Sequence, residues 1–268
     1  MIVSASYRTD IPAFYGDWFA RRLAAGFCTV KNPYGSAPYR VALRGSDVDG
    51  FVFWTRNARP FLPVLDDLAE QGTPFVVQYT ITGYPAAIDA ATPPTAHAVA
   101  TARDVATRYG VDTLVWRYDP ILLSAATPLE SHMQAFDPLA AALAGACNEV
   151  VVSFAHFYRK SVRRLDAATP PLSWRDPTEP EKAALLHTLN ASAQAHGMRL
   201  TLCTQPDLVD VVPGVGAARC IDDARLSRIA GRTVGAREKG NRPGCRCAET
   251  RNIGTYDTCA HGCLYCYA

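Results

Sequence analysis

NIGTYDTCAHGCLYCYA (252–268) is the last stretch of the chain, a short predicted strand that leads into three cysteines, Cys259, Cys263 and Cys266. Their spacing is C-x3-C-x2-C. Three thiolates this close together can hold three irons of one cubane cluster and leave the fourth iron without a protein ligand. A disulfide would join only two of them, and a tetrahedral zinc site would need a fourth ligand such as His261. The motif therefore predicts a [4Fe-4S] cluster, with zinc as the alternative.

The spacing, with Tyr265 directly before the third cysteine, resembles the cluster loop of the radical S-adenosylmethionine (SAM) enzymes. The resemblance implies that the open iron binds the amine and carboxylate of SAM and that the reduced cluster cleaves SAM to a 5'-deoxyadenosyl radical. It also implies that Tyr265 lines the adenine side. In that superfamily the loop follows the first strand. Its place at the end of this sequence implies either that the sequence stops early or that the barrel is circularly permuted.

Length and composition restrict the class of protein. The chain has 268 residues, enough for one large barrel or two modest domains, and 49% of them are apolar. A net charge of +2 indicates no strong attraction to nucleic acid or to a membrane surface. No apolar run approaches the length of a membrane span, and the first residues do not resemble a signal peptide. We therefore expect a cytoplasmic protein with neither a membrane nor a nucleic-acid partner.

The nine cysteines point to metal binding rather than to disulfides. Their number is odd and no export signal is present, so a disulfide framework is not expected. Six of the nine lie after residue 219, and this crowding favours a metal site. Cys28 and Cys147 stand alone in apolar surroundings, and we interpret them as thiols that only pack.

A repeated unit of apolar strand, polar residues and helical pattern runs through the chain. Strands are predicted at 2–6, 50–55, 75–81, 113–118, 149–154, 199–204 and 252–258. Most are near-continuous apolar runs, which are typical of parallel strands buried on both faces. Helices are predicted after Asp10, at about 60–71, 96–109 and 180–196 and between the fourth and fifth strands, and a turn is predicted over 32–35.

This alternation predicts an α/β fold, as a parallel (β/α) barrel or partial barrel of TIM type. The resemblance to radical SAM enzymes implies that this barrel is circularly permuted relative to theirs. A doubly wound open sheet is the alternative, but no glycine-rich phosphate loop follows the first strand. We assign residues 1–212 to the barrel body. Residues 213–268 form a cysteine-rich segment that binds the cluster and completes the barrel.

Polar side chains gather where the predicted strands end. In a parallel barrel these ends share one face, where active sites lie. Singly, each has a structural explanation: Asp10 is placed to cap a helix, and Arg117 and Asp119 to form a salt bridge. Together they suit a ligand with carboxylate, amine and ribose groups, such as SAM. We predict catalytic roles for Arg8, Asp10, Arg117 and Asp119, and cofactor-binding roles for Thr55, Arg56, Asn57, Thr82, Ser153 and Tyr265.

A second cysteine set consists of Cys203, Cys220, Cys245 and Cys247. The pair Cys245 and Cys247 follows a Pro-Gly turn, which frees the backbone to wrap around a metal. Four thiolates complete a cubane cluster or a structural zinc site. Both accept four sulfur ligands, so the softness of the thiolates does not distinguish zinc from a cluster. Cys203 has a further interpretation as a core residue of a strand. We favour a second [4Fe-4S] cluster over zinc.

Several stretches together resemble the DUF1848 family: SASYRTDIPAFY (4–15), FVFWTRN (51–57), QYTITGY (78–84), VWRYDPILL (115–123), CIDD (220–223) and IGTYDTCAHGCLYCYA (253–268). The resemblance covers nearly all of the chain. It implies an iron–sulfur protein related to radical SAM enzymes, with its cluster loop at the C-terminus. It implies no substrate, and the chain has no clear counterpart of the acidic motif that binds the SAM amine in standard radical SAM barrels.

Two functions follow from these patterns. The first is an enzyme that uses SAM and a [4Fe-4S] cluster to start radical chemistry on a small-molecule or peptide substrate, with flavodoxin or ferredoxin as the reducing partner. The second is a non-catalytic metal-binding or electron-transfer protein with zinc or iron–sulfur clusters. Iron and sulfide after anaerobic purification would favour the first, and zinc in a colourless protein would favour the second.

Overall fold

A large parallel sheet flanked by helices forms the body of the protein. The structure, a computed structural model, describes residues 1–32, 35 and 37–268. Within these residues, eight strands form the parallel sheet and two more form a separate antiparallel hairpin. The predicted α/β class is confirmed. None of the helices in this described part of the chain is long and apolar enough to cross a membrane.

The elements alternate along the chain. The strands are β1 (Ile2–Ala5), β2 (Phe27–Val30), β3 (Tyr39–Ala42), β4 (Gly50–Thr55), β5 (Phe75–Thr80), β6 (Leu114–Ile121), β7 (Glu149–Phe154), β8 (Arg199–Leu202), β9 (Gly216–Ala217) and β10 (Thr250–Asn252). The helices are α1 (Ile11–Phe14), α2 (Gly16–Ala25), α3 (Leu62–Glu70), α4 (Thr95–Tyr109), α5 (Leu129–Leu143), α6 (Arg159–Asp166), α7 (Glu179–Ala195) and α8 (Asp223–Ala230). Asp10 caps α1 as predicted, since its side chain accepts a hydrogen bond from the Ala13 N–H at 2.9 Å.

The sheet order is β10-β1-β4-β5-β6-β7-β8-β9, with every neighbouring pair parallel. The last strand therefore lies beside the first, and Ile2 pairs with Thr250 in its register. Because all eight strands point the same way, their carboxyl ends meet along one edge of the sheet. That edge collects the residues which follow each strand.

The final strand is shorter than predicted and lies earlier. We expected 252–258, but the strand ends at Asn252, whose side chain turns back on its own sheet. Its amide donates to Ser4 Oγ at 3.0 Å, and its oxygen accepts from Ser6 Oγ at 3.0 Å and from the Gly254 N–H at 2.9 Å. A Cβ at Gly254 would lie 1.9 Å from Ser6 Oγ, so only glycine fits where the chain leaves the sheet.

The two faces of the sheet are covered differently. Alternate strand residues such as Phe53 and Trp116 pack on one face with the buried sides of α2, α3, α4, α5 and α7. The intervening residues, such as Val52 and Val115, pack on the other face against segment 218–248, which includes Leu226 of α8. Both faces are thus buried, which explains the continuous apolar runs in the strands.

Some elements were not predicted. They are the β2–β3 hairpin, β9, α6 and α8. The sequence of α6 is almost entirely polar, and only Ser161 and Leu165 of this helix are buried, so its pattern shows no apolar stripe. The turn predicted over 32–35 falls partly outside the described residues.

Candidate metal and cofactor site

A cavity of about 490 Å³ opens at the carboxyl ends of the strands. Its walls include residues that follow β1, β4, β8, β9 and β10, together with residues from the last part of β5 and β6 themselves. All seven cysteines of the two predicted sets line it: Cys203, Cys220, Cys245, Cys247, Cys259, Cys263 and Cys266. So do six other predicted or neighbouring residues: Asp10, Thr55, Arg56, Arg117, Asp119 and Tyr265. The fold thus brings together, around one space, cysteines that are up to 63 positions apart in the sequence.

Four of the predicted site residues do not line this cavity. The guanidinium of Arg8 lies over the rings of Tyr7 and Tyr256, 5.6 and 5.2 Å from their centroids. Asn57 accepts a hydrogen bond from the Arg59 N–H, Thr82 lines a smaller neighbouring cavity of about 220 Å³, and Ser153 donates to Asp119. Their predicted roles remain predictions.

The loop with the three terminal cysteines is held in place mainly by His261, which is 3% exposed. One ring nitrogen contacts Asp10 Oδ2 at 2.8 Å and the other contacts the Ala91 carbonyl at 3.0 Å. The Leu264 N–H donates to the Ile88 carbonyl at 3.0 Å, so the loop is also hydrogen-bonded to the segment after β5. Because both ring nitrogens have partners, His261 positions the loop and is not free to bind a metal.

The three terminal cysteines all line the cavity. Among the described residues, no thiol–thiol hydrogen bond joins Cys259, Cys263 and Cys266, although electrostatic interactions couple Cys266 to the other two. Burial raises the pKa of both the Cys259 and the Cys263 thiol. The Ala268 N–H donates to Cys266 Sγ at 3.4 Å.

Beside this loop, Arg56 is part of a buried network. It donates to Asp89, to the Tyr265 hydroxyl and to Thr82 Oγ1, the last at 2.9 Å. Tyr265 in turn donates to Asp89 Oδ1 at 2.7 Å, and Asp89 is 3% exposed. The guanidinium therefore neutralises a buried carboxylate that also orients Tyr265. Sequence reasoning missed Asp89, although it is the only charged residue in 83–94.

A second buried ion pair lies beside the other cysteine set. Arg117 pairs with Asp119 at 2.6 Å and also donates to Cys220 Sγ at 2.9 Å. Ser153 donates to the other oxygen of Asp119. Burial raises the pKa of Asp119, but the neighbouring Arg117 and the Ser153 hydrogen bond lower it more, so the carboxyl titrates below its usual range. The Arg117 guanidinium thus contacts both the Asp119 carboxylate and the Cys220 thiol.

The four thiols of the second set form a line of contacts. Cys203 Sγ lies 3.6 Å from Cys220 Sγ, and side-chain hydrogen bonds join Cys220 to Cys247 and Cys247 to Cys245. The hydrogen bond with Cys247 lowers the pKa of Cys245 to about 6, against the opposing effect of burial. Cys203 is a buried core residue, 7% exposed, and its thiol also contacts that of Cys220. That the four cysteines bind one metal ion or cluster stays a prediction.

The rest of the cavity wall was not predicted. Trp54, Tyr158, Asn241, Arg242 and Tyr267 all line it. Arg242 donates to the Tyr158 hydroxyl at 3.0 Å, and the Tyr158 and Tyr267 rings lie 5.3 Å apart. These residues come from four separate parts of the chain and follow no spacing motif, so no pattern in the sequence indicates that they meet.

Comparison with known proteins gives one result that spans the chain. A search of curated proteins found no match. A family model, described as a domain of unknown function (DUF1848), matches residues 2–268. The match includes both cysteine sets and every strand of the sheet. The chain therefore belongs to the DUF1848 family.

Proposed function

We propose that this protein is an iron–sulfur enzyme of the radical SAM type, which reductively cleaves SAM to start radical chemistry in the cavity. The observation that carries the proposal is that the three terminal cysteines line the same cavity as the strand ends. A cluster on an exposed loop away from any cavity would suit electron transfer instead. The substrate is a small molecule or a peptide, and the reducing partner is a flavodoxin or a ferredoxin.

The proposed fold is a partial barrel of TIM type, permuted so that its first strand comes last. Support comes from helices that connect neighbouring strands of the sheet and pack on one face, namely α2, α3, α4, α5 and α7, whereas α8, between the two edge strands, packs on the other. A doubly wound sheet would carry such helices on both faces. In this proposal 1–212 is the barrel body, and 213–268 supplies the cluster loop and the strands β9 and β10 at the two edges of the sheet.

The donor set fits a [4Fe-4S] cluster held by Cys259, Cys263 and Cys266. The three cysteines line one space and have cationic side chains near the loop backbone. Lys160 donates to the Ala268 carbonyl at 2.8 Å, and Arg164 to the Cys266 carbonyl at 3.0 Å. These contacts offset the negative charge of a bound cluster. Such a cluster, when bound with SAM, supplies one electron to break a carbon–sulfur bond of SAM.

The surrounding residues orient ligands and exclude water. Asp10 and His261 fix the cluster loop against the first helix, and Asp89 fixes the Tyr265 ring at the cavity wall. Arg56 and Arg117 are both engaged with carboxylates, so each offers only its remaining hydrogen-bonding capacity to the carboxylate or ribose of SAM. Trp54 and the tyrosines of the cavity rim present apolar surface that excludes water from the space.

The test is SAM cleavage by anaerobically reconstituted, reduced protein. Wild type should release 5'-deoxyadenosine. Cys263→Ala should abolish the release and lower iron content, because one of three cluster ligands is lost, while circular dichroism stays unchanged. Cys28→Ala is the matched control, since it removes a buried thiol in β2 away from the cavity and should keep full cleavage. If wild type binds iron but neither binds nor cleaves SAM, the non-catalytic electron-transfer function replaces this proposal.

A further inference from the structure

In the four-thiol set of Cys203, Cys220, Cys245 and Cys247, neighbouring thiols are in contact with one another. Sulfurs on one tetrahedral ion, each about 2.3 Å from the metal, lie about 3.8 Å from one another. Sulfurs on the corner irons of a cubane are separated by the body of the cluster and do not touch. Cys203 Sγ and Cys220 Sγ are 3.6 Å apart, and hydrogen bonds continue the run to Cys247 and Cys245. This spacing matches sulfurs on one ion.

The thiols follow one another in a line rather than around a point. Accordingly, no three His, Cys, Asp or Glu side chains of the described residues already form a metal-ion site. Binding an ion would require the ends of the line, Cys203 and Cys245, to swing towards each other. Cys245 is the one partly exposed member of the four and follows the Pro243-Gly244 turn, so its side chain is less confined than those of the three buried cysteines.

Hydrogen-bond donors point at the sulfurs independently of that spacing. Arg117, 5% exposed, donates to Cys220 Sγ at 2.9 Å, and the Ile221 N–H donates to Cys247 Sγ at 3.4 Å. Four thiolates around a divalent ion carry a net charge of −2, which a buried guanidinium and backbone donors stabilise.

We propose that Cys203, Cys220, Cys245 and Cys247 bind a single divalent metal ion of the zinc class in tetrahedral sulfur coordination, rather than a second iron–sulfur cluster. The ion ties together the chain after β8, the chain after β9 and the segment between α8 and β10. That last segment carries Asn241 and Arg242 to the cavity. The ion therefore shapes one wall of the cavity and takes no electron.

The experiment uses full-length protein and Co²⁺ as the probe. The chain is stripped with chelator under reducing conditions and titrated with Co²⁺, and Zn²⁺ is then added. We expect one Co²⁺ per chain with the intense thiolate-to-metal absorption of tetrahedral sulfur coordination, bleached by Zn²⁺. The triple variant Cys259→Ala/Cys263→Ala/Cys266→Ala should keep this signal, which separates the four-thiol set from the terminal one and makes the result independent of SAM cleavage.

Cys220→Ala should abolish the signal, and Cys28→Ala, the control, should keep it. Cys245→Ala is the second test variant, because its half-exposed side chain can be removed without a cavity in the core; it should weaken Co²⁺ binding at least tenfold in a folded protein. Retention of full binding by Cys245→Ala would overturn the proposal. So would iron and inorganic sulfide that the triple variant retains after anaerobic reconstitution and loses with Cys220→Ala.

Discussion

At the scale of single residues, the buried imidazole of His132 has a protonation state determined by its partners. Its Nε2 lies 3.0 Å from the Leu122 carbonyl and its Nδ1 lies 3.0 Å from the Tyr118 hydroxyl. The carbonyl can only accept, so Nε2 donates, and Nδ1 accepts from the tyrosine. Burial lowers the pKa of this side chain to about 4, and the Leu122 hydrogen bond only partly opposes the effect.

This pKa predicts a loss of stability in acid. Between pH 6.5 and 4 the unfolded chain binds a proton at His132 that the folded chain does not, so the free energy of unfolding falls as pH falls. The expected contribution is a loss of about 2 kcal/mol between pH 7.5 and 5. His132→Gln keeps a donor and an acceptor but does not titrate. Its free energy of unfolding, measured by urea titration, should therefore fall by about 2 kcal/mol less than that of wild type between pH 7.5 and 5. His97→Gln, at an exposed position of α4, should behave like wild type; identical pH profiles for all three proteins would contradict the prediction.

Asp89 provides a second prediction for a single residue. Its carboxylate pairs with Arg56, and the two side chains are 1% and 12% exposed. Removing one partner of a buried pair leaves the other charge uncompensated, so Asp89→Asn should lower the free energy of unfolding by about 3 kcal/mol. Because Asp89 also orients Tyr265, iron retention after reconstitution should fall too. Asp104→Asn, which breaks an exposed pair with Arg108, should cost about 0.5 kcal/mol or less in the same urea titration.

At the scale of elements, α8 is joined to the amino-terminal edge of the sheet by a buried arginine. Arg225 is 2% exposed and pairs with Glu149, the first residue of β7, at 2.5 Å. It also donates to the Asp112 carbonyl at 3.1 Å. The apolar side of α8 is small, with Leu226 its one fully buried apolar residue among those described, so this ion pair does much of the anchoring.

Arg225→Ala should therefore lower the free energy of unfolding by about 3 kcal/mol or more, since Glu149 then keeps only the exposed Arg199 as a cationic partner at 3.2 Å. Chemical denaturation followed by fluorescence measures this change. Arg228→Ala is the matched control on the same helix, because Arg228 is 52% exposed and its loss should cost about 0.5 kcal/mol at most. Equal effects of the two substitutions would mean that α8 is held by its apolar contacts alone.

At the scale of the whole molecule, one face of the sheet packs in the larger core and the other leads to the cavity. The helices between strands bury one face and form the larger core. The other face is apolar near the start of the strands and becomes polar towards their carboxyl ends, as Val76 and then Gln78 on β5 illustrate. Gln78 donates to the Cys220 carbonyl at 2.8 Å. The same face that packs segment 218–248 thus leads directly to the cavity.

Local patterns were sufficient for several features of this protein. Strand and helix patterns predicted the α/β class, the cap at Asp10 and six strands of the parallel sheet, β1, β4, β5, β6, β7 and β8. These features depend on alternation, burial and turn chemistry within short windows. The C-x3-C-x2-C spacing singled out the terminal loop for the same reason. The position of the last strand was misjudged by a few residues, because its end depends on Asn252 and Gly254 meeting Ser4 and Ser6 from the other end of the chain.

Only the tertiary structure could decide which polar residues share a space. Asp89 reaches Arg56 and Tyr265, and Arg117 reaches Cys220, across 33 to 176 positions of sequence. Contacts between residues so far apart leave no spacing in the sequence, so the same strand-end pattern that located Arg56 and Arg117 also selected Asn57 and Arg8, which lie outside the cavity. The contacts between the thiols of the second cysteine set likewise could not be predicted from the sequence. They arise because parallel strands and the segment that returns beneath them bring Cys203, Cys220 and Cys247 next to one another at the sheet edge.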